Sequence, residues 1–126
     1  MENNARSKKI LIVDDCIEIR EALQEIFDFE GLQAISASDG EEGINLVKKE
    51  RPDLIICDIT MPKKNGIELY QELLLDNKIR NTPFIFLTAQ AVKKDIKAVK
   101  LLGSAEYITK PFNIDNLLEI IYRLLK

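Results

Sequence analysis

Residues 10–15 read Ile-Leu-Ile-Val-Asp-Asp, a run of four apolar residues that ends in two carboxylates. Two further runs of this kind follow, Leu-Ile-Ile-Cys at 54–57 and Phe-Ile-Phe-Leu at 84–87. Runs this short and continuously apolar are typical of strands buried on both faces of a parallel sheet. Weaker runs from Leu32 to Ser36 and from Glu106 to Thr109 predict two more strands.

Between these runs the spacing of apolar residues changes to the helical period, which predicts one amphipathic helix after each strand. Gly31 and Asn113 stand where a helix C-terminal glycine and a helix N-cap are expected. The apolar positions that define the five helices are Ile19, Ala22, Leu23, Ile26 and Phe27; Ile44, Leu46 and Val47; Ile67, Leu69, Tyr70, Leu73 and Leu74; Val92, Ile96, Val99, Leu101 and Leu102; and Leu117, Leu118, Ile121, Leu124 and Leu125.

This alternation of strand and helix predicts a doubly wound α/β fold with a five-stranded parallel sheet and five helices. The strand order expected for such a sheet is 2-1-3-4-5. The length of 126 residues fits one domain, 1–126, with a core over about 8–126. Ligands of these sheets bind beyond the carboxyl ends of the strands, so the function is sought there.

The composition excludes several classes of function. The chain has no histidine, which removes Ser-His-Asp and Cys-His catalysis and histidine-ligated zinc. Cys16 and Cys57 are too few for a disulfide framework or a zinc cluster. The net charge of −3 argues against binding to nucleic acid, which normally needs a basic face. Because no apolar stretch reaches the ~20 residues of a membrane helix and no signal-peptide core is present, we expect a cytoplasmic protein.

Polar residues follow four of the predicted strands. Asp14 and Asp15 follow the first strand, Asp58 the third, Thr88 ends the fourth, and Lys110 follows the fifth. Three carboxylates at one site stay ionised together only with a compensating cation. Oxygen ligands without nitrogen or sulfur favour a hard ion, which predicts Mg²⁺, with Mn²⁺ as an alternative. The lysine and the threonine hydroxyl complete a receptor for a phosphoryl group.

Four motifs, each placed after its own strand, resemble the receiver domain of two-component response regulators over essentially the whole chain. Each motif is common alone, but all four in this order are specific. They are Asp14-Asp15, Asp58-Ile-Thr-Met-Pro-Lys-Lys-Asn-Gly66, Thr88-Ala89 and Lys110-Pro111-Phe112. The resemblance implies a flavodoxin-like fold and a phosphorylated signalling switch rather than a turnover enzyme.

The resemblance also implies roles for the carboxylates. Asp58 would be the phosphoacceptor, a nucleophile that forms an acyl phosphate. Asp15 and Asp58 would ligate Mg²⁺ directly, together with the backbone carbonyl of Thr60. Asp14 would act through a metal-bound water.

The same resemblance implies roles for four residues around the carboxylates. Lys110 would contact the phosphoryl group and would pair with Asp58 in the resting state. Thr88 would bond the phosphoryl group through its hydroxyl, and Tyr107 would change rotamer when Thr88 moves. The peptide bond between Lys110 and Pro111 would be cis, the isomer that only proline allows at low cost.

The phosphoryl donor is expected to be a histidine kinase or a histidine phosphotransfer protein, and it must be external because this chain has no histidine. Output is expected through protein contacts, by resemblance on the face of the fourth predicted helix, the fifth strand and the fifth predicted helix. That fourth helix is lysine-rich, and we expect a monomer or a weak dimer linked to phosphorylation. The residues concerned are Lys93, Lys94, Lys97 and Lys100. Ile17, Phe29 and Tyr122 lie outside the main apolar stripes and are predicted to form exposed contact surface.

Four alternatives stay open at this point. The chain could be the receiver part of a hybrid histidine kinase or of a larger regulator. An aspartyl-phosphate phosphatase of the haloacid-dehalogenase type would need Asp-x-Asp after the first strand, and here Asp14 and Asp15 are adjacent. A flavodoxin-type FMN carrier would need a phosphate-binding loop rich in Ser, Thr and Gly at the same place. A degenerate receiver that only binds partners would lack part of the acidic set.

Overall fold

A computed structural model describes residues 7–61, 63–88 and 105–126. Strands and helices alternate along residues 9–88, and four helices are described in total. The predicted helix with apolar positions between Val92 and Leu102 lies outside the described residues, and the fifth predicted helix is therefore α4 below. The elements are β1 Lys9–Val13, α1 Ile17–Phe29, β2 Gln33–Ala37, α2 Gly40–Glu50, β3 Leu54–Asp58, α3 Gly66–Leu74, β4 Phe84–Thr88, β5 Glu106–Thr109 and α4 Ile114–Leu124.

The five strands form one parallel sheet in the order β2-β1-β3-β4-β5, which confirms the predicted order. The four residues of β1 after Lys9 and all residues of β3 and β4 are buried, as their continuous apolar runs predict. β2 and β5 lie at the edges, and their burial is only partial, which explains their weaker apolar runs.

Helices cover both faces of the sheet, because successive side chains of a buried strand point to opposite sides. Ile10 and Ile12 of β1 join the core on one face, where Leu23 and Phe27 of α1 and Leu117 and Ile121 of α4 pack. On the other face, Leu11 and Val13 join side chains of α2 and α3, among them Val47 and Leu69.

An aromatic cluster strengthens the second of these faces beneath β4. Tyr70 of α3 packs on Phe84 and Phe86, with ring centroids 4.8 and 5.5 Å away. Phe84 and Phe86 lie on the same side of β4, with 4.7 Å between centroids. Tilted and edge-on contacts of this kind are the geometries that aromatic quadrupoles favour.

Helix starts are fixed by side chains that accept from backbone N–H groups otherwise left unpaired. Asp39 caps α2, Asn65 caps α3 in a reciprocal capping box with Glu68, and Asn113 caps α4 as predicted. Gly31 follows α1 with φ of 78°, the left-handed conformation expected of a C-terminal glycine. In the described part of the chain, no helix has the length and apolar character to cross a membrane.

Candidate phosphorylation site

The carboxyl ends of β1, β3, β4 and β5 bring the predicted site residues to one edge of the sheet. Asp14 and Asp15 leave β1, and Asp58 is the last residue of β3. Thr88 ends β4, is buried, and lies in register with Thr109 of β5. The parallel topology therefore assembles a site from residues that are far apart in the sequence.

Asp14 is the most enclosed member of this group, with no exposed surface. Its Oδ1 accepts a hydrogen bond from the backbone N–H of Cys16 at 2.9 Å, and its Oδ2 accepts one from Lys110 Nζ at 2.9 Å. Arg20 donates to the Asp14 backbone carbonyl at 2.6 Å. The sequence analysis did not predict this contact of Arg20. The one feature of the sequence that indicates it is the position of Arg20 in the first turns of the helix that follows the aspartates.

Asp58 lies beside Asp14 but keeps part of its side chain, 11%, exposed. Its Oδ1 accepts from the backbone N–H of Thr60 at 3.3 Å, and its Oδ2 lies 3.4 Å from Lys110 Nζ. Burial raises the pKa of the Asp58 carboxyl and the charge of Asp14 adds to the rise, while Lys110 and the Thr60 N–H oppose it. The carboxylate is therefore held in place and yet remains open to a reactant.

Lys110 brings a positive charge to the carboxylates of both Asp14 and Asp58. Burial lowers its pKa, but the hydrogen bond to Asp14 and the negative charges of Asp58 and Asp14 outweigh burial, so its pKa is raised overall. The ammonium is closer to Asp14 than to Asp58, by 2.9 against 3.4 Å. The Lys110–Pro111 peptide bond is cis, and the Lys110 N–H bonds the Thr88 carbonyl at 2.6 Å, which joins the end of β5 to β4.

The three aspartates form an acidic cluster that fits a divalent metal ion. Asp14, Asp15 and Asp58 each offer one oxygen, and these oxygens lie within 4.8 Å of one another. Oxygen ligands stand ~2.1 Å from Mg²⁺, so small side-chain adjustments bring such a set around one ion. Asp15 is exposed while the other two are buried, so the cluster opens to solvent on the Asp15 side.

Two further predicted residues, Thr60 and Tyr107, follow or belong to strands that end at this edge. Thr60 is exposed two residues after Asp58. Tyr107 is half-buried in β5, in register with Phe86 of β4, and packs against the core face that holds α2 and α3. Tyr107 therefore lies two register positions before the pair formed by Thr88 and Thr109.

The turn that follows Asp58 is held by close backbone packing. The N–H of Ile59 bonds the Leu87 carbonyl at 3.0 Å, and the N–H of Gly66 bonds the Ile59 carbonyl at 2.9 Å. A Cβ on Gly66 would stand 2.3 Å from the Asp58 carbonyl oxygen, so only glycine allows this approach. The close approach explains why a glycine stands at the end of the Asp58 motif.

The two cysteines near the aspartates differ in their burial. Cys57 is fully buried, and burial raises the pKa of its thiol well above the ordinary value, with the charges of Asp58 and Asp14 adding to the rise. Its thiol donates to the Asp58 carbonyl at 3.3 Å. Cys16 is half-buried and donates to Glu18 at 3.3 Å.

The lysines that were predicted to contact output partners, within residues 93–100, lie outside the described residues.

A doubly wound sheet with three clustered aspartates and a paired lysine at its carboxyl edge offers the ligands that Mg²⁺ prefers and a cation for an anionic group, at the place where open α/β sheets bind ligands. The sequence matches the family described as response regulator receiver domain over residues 10–122. The chain belongs to this family. This confirms the resemblance drawn from the four motifs, and with it the role of a receiver in two-component signalling.

Two curated relatives differ in the share of their own length that this chain covers. It is 38% identical over 120 residues to sporulation initiation phosphotransferase F of Bacillus subtilis, covering 94% of each chain. It is 39% identical over 118 residues to the transcriptional regulatory protein CpxR of Klebsiella pneumoniae. The match covers 94% of this chain but 49% of that regulator. The chain thus spans nearly all of one relative and about half of the other.

Among solved structures, the chain is similar to the receiver domain of a sensor histidine kinase from Pseudomonas aeruginosa. The TM-score is 0.87 at 25% identity, and the match covers 95% of this chain and 98% of that one. That structure holds a magnesium ion coordinated in its active-site cleft. Receiver domains bind Mg²⁺ at an acidic pocket, and the described residues of this chain include an acidic cluster formed by Asp14, Asp15 and Asp58.

Proposed function

We propose that Asp58 is the phosphoacceptor of this receiver domain and takes a phosphoryl group from a phosphohistidine of a partner protein. The observation that carries the proposal is the contrast among the three clustered aspartates. Asp14 is fully buried with both oxygens engaged, and Asp15 is exposed at the rim. Asp58 alone combines a fixed carboxylate with a partly open side chain. That combination suits a nucleophile that must be aimed and also reached.

In the proposed transfer, a carboxylate oxygen of Asp58 attacks the phosphorus of the phosphohistidine. The P–N bond breaks, its electron pair returns to the partner's imidazole, and an acyl phosphate remains on Asp58. Lys110 lies 3.4 Å from the attacking carboxylate and donates to the phosphoryl oxygens as charge builds on them. Asp14 holds that ammonium in place from the other side, at 2.9 Å.

Mg²⁺ is the cofactor that we propose for this transfer, held by Asp15, Asp58 and the Thr60 carbonyl, with Asp14 acting through a water. When bound, the ion offsets the charge of the carboxylates and of the incoming phosphoryl oxygens. Asp15 suits the role of entry ligand because it is the exposed member of the cluster. Mn²⁺ prefers the same oxygen ligands and would substitute for it.

The signal is proposed to leave the site through Thr88 and Tyr107. The Thr88 hydroxyl would bond the phosphoryl group, and Tyr107, on the neighbouring strand, would change rotamer in response. Phosphorylation would then shift the population between two conformations that partner proteins distinguish. A cytoplasmic histidine kinase or phosphotransfer protein is the proposed donor, and the relative named a phosphotransferase, covered over 94% of its length, supports relay between proteins.

Acetyl phosphate with Mg²⁺ tests the acceptor, with intact-protein mass spectrometry as the readout. We expect the wild type to gain the mass of one phosphoryl group, and Asp58→Asn to gain none because the nucleophile is lost. Asp115→Asn is the matched control, since Asp115 is an exposed carboxylate of α4. We expect it to react as the wild type does. Labelling of Asp58→Asn to the wild-type extent would show that the acceptor is another residue.

A further inference from the structure

A groove runs between α1 and α4 on the outer side of the sheet face that these two helices cover. It encloses about 410 Å³. Its apolar lining comes from Ile26 and Phe29 of α1 and from Ile114 and Leu118 of α4. The structure therefore has an apolar channel between two surface helices.

Two of the four apolar side chains that line this groove are exposed to solvent. Phe29 is 90% exposed and Ile114 is 36% exposed. Tyr122, one turn beyond Leu118 on α4, is 41% exposed. Single exposed apolar residues are common on proteins, but a group of them along one groove is typical of an interaction surface.

The Phe29 end of the groove lies away from the aspartates. α1 starts beside Asp14 and Asp15 and, with 13 residues, extends ~20 Å from them. After α1 the chain enters β2 at the amino end of β1, where the Gln33 N–H bonds the Lys8 carbonyl at 2.8 Å. A molecule bound around Phe29 would contact α1 at its end farthest from the aspartates.

The rim of the groove is acidic. Glu25, Glu30 and Asp115 line it, and no lysine or arginine of the described residues does so. Glu30 also accepts a hydrogen bond from the Tyr122 hydroxyl, which ties the end of α1 to the last turns of α4. α1 continues the negative charge, since Arg20 is its one basic residue among four acidic ones. The groove therefore favours a positively charged occupant.

We propose that this groove binds an amphipathic helix of a partner protein, with its apolar face on Phe29, Ile114 and Leu118 and its lysines or arginines against the acidic rim. A helix laid between two surface helices is a common way of filling such a channel. A second copy of this groove face would bring acidic rims together, and an anionic membrane would be repelled, so charge complementarity selects a basic helix.

A synthetic peptide of ~18 residues tests the proposal, with leucines at helical spacing on one face and lysines elsewhere. Binding to the ¹⁵N-labelled chain is followed by NMR titration. We expect shifts at Glu25, Phe29, Ile114 and Leu118, and none at Asp58. We expect Phe29→Ser to bind at least about tenfold more weakly, the loss typical of a central aromatic contact.

Leu75→Ser is the matched control, because Leu75 is 86% exposed at the end of α3 and lies outside the groove. It should bind as the wild type does, and a peptide with glutamates in place of the lysines should not bind. Equal binding by Phe29→Ser, or by the glutamate peptide, would overturn the proposal. So would sedimentation that shows a dimer of the free chain which Phe29→Ser abolishes, since the occupant would then be a second copy.

Discussion

Asp14 and Asp15 are neighbours in the sequence, yet one is fully buried and the other is exposed. Their position after an apolar strand predicted that both would reach the site. Which of them is buried depends on the partners of its carboxylate, the Cys16 N–H and Lys110. One of those partners comes from the far end of the chain, so no local pattern reveals it.

The ionisation of Asp58 makes a prediction for stability against pH. Burial raises the pKa of Asp58 above its ordinary value of 3.8. The folded state therefore binds this proton more tightly than the unfolded state, and this difference stabilises the fold. The stabilisation is complete below pH 3.8 and is lost as pH rises through the folded-state pKa. At neutral pH the ionised Asp58 destabilises the fold, so we expect Asp58→Asn to unfold at higher urea concentration than the wild type.

That difference should be largest at pH 7 and should shrink at pH 4.5, with EDTA present at both so that metal binding does not contribute. Urea titrations followed by circular dichroism measure it, and Asp115→Asn serves as the exposed control. A lower urea midpoint for Asp58→Asn at pH 7 would contradict the stated effect of burial.

At the scale of the elements, the strands were the most predictable part of the fold. Continuous apolar runs at 10–13, 54–57 and 84–87 became the buried strands, and the weaker run at 106–109 became an edge strand. Asn113 caps α4 as its position predicted. The caps of α2 and α3 were not predicted, because their start signals lie in polar segments where many residues are able to cap.

The turn between β3 and α3 is expected to be the least tolerant of added volume. Gly66→Ala would force a methyl group against the Asp58 carbonyl, so we expect a loss of about 3 kcal/mol in unfolding free energy. The same clash moves the backbone next to Asp58, so Mg²⁺ affinity should fall as well. Urea unfolding and a Mg²⁺ titration followed by NMR measure the two effects.

Gly31→Ala is the control for this change. Gly31 has φ of 78° and no atoms within 4 Å of an added Cβ, so only backbone strain of about 1 kcal/mol is expected. Its Mg²⁺ affinity should equal that of the wild type, because Gly31 lies after α1. Equal Mg²⁺ affinity in Gly66→Ala and the wild type would show that the turn does not position the site.

At the scale of the whole molecule, metal binding at the aspartates should stabilise the entire fold, because the cluster forms only when the sheet does. At a Mg²⁺ concentration of 100 times Kd, the stabilisation is ~2.7 kcal/mol. We expect a corresponding rise in Tm for the wild type and almost none for Asp15→Asn. Differential scanning calorimetry measures it, with NaCl at matched ionic strength as the control.

An equal Tm rise in Asp15→Asn would show that Asp15 is not a ligand of the metal.

The strand order and the grouping of residues at the carboxyl edge were predictable from the alternation of elements alone. The groove between α1 and α4 was only partly predictable, since the exposure of Phe29 was predicted but its neighbours on α4 were not.

The Lys110–Asp14 contact joins residues 96 positions apart. During synthesis, a ribosome-bound chain that has released β1 to β4 already presents all three aspartates, but their lysine has not yet emerged. Such a fragment lacks the cation that holds Asp14 and faces Asp58. The contact that fixes the Asp14 carboxylate can therefore form only after the last strand of the sheet has been synthesised.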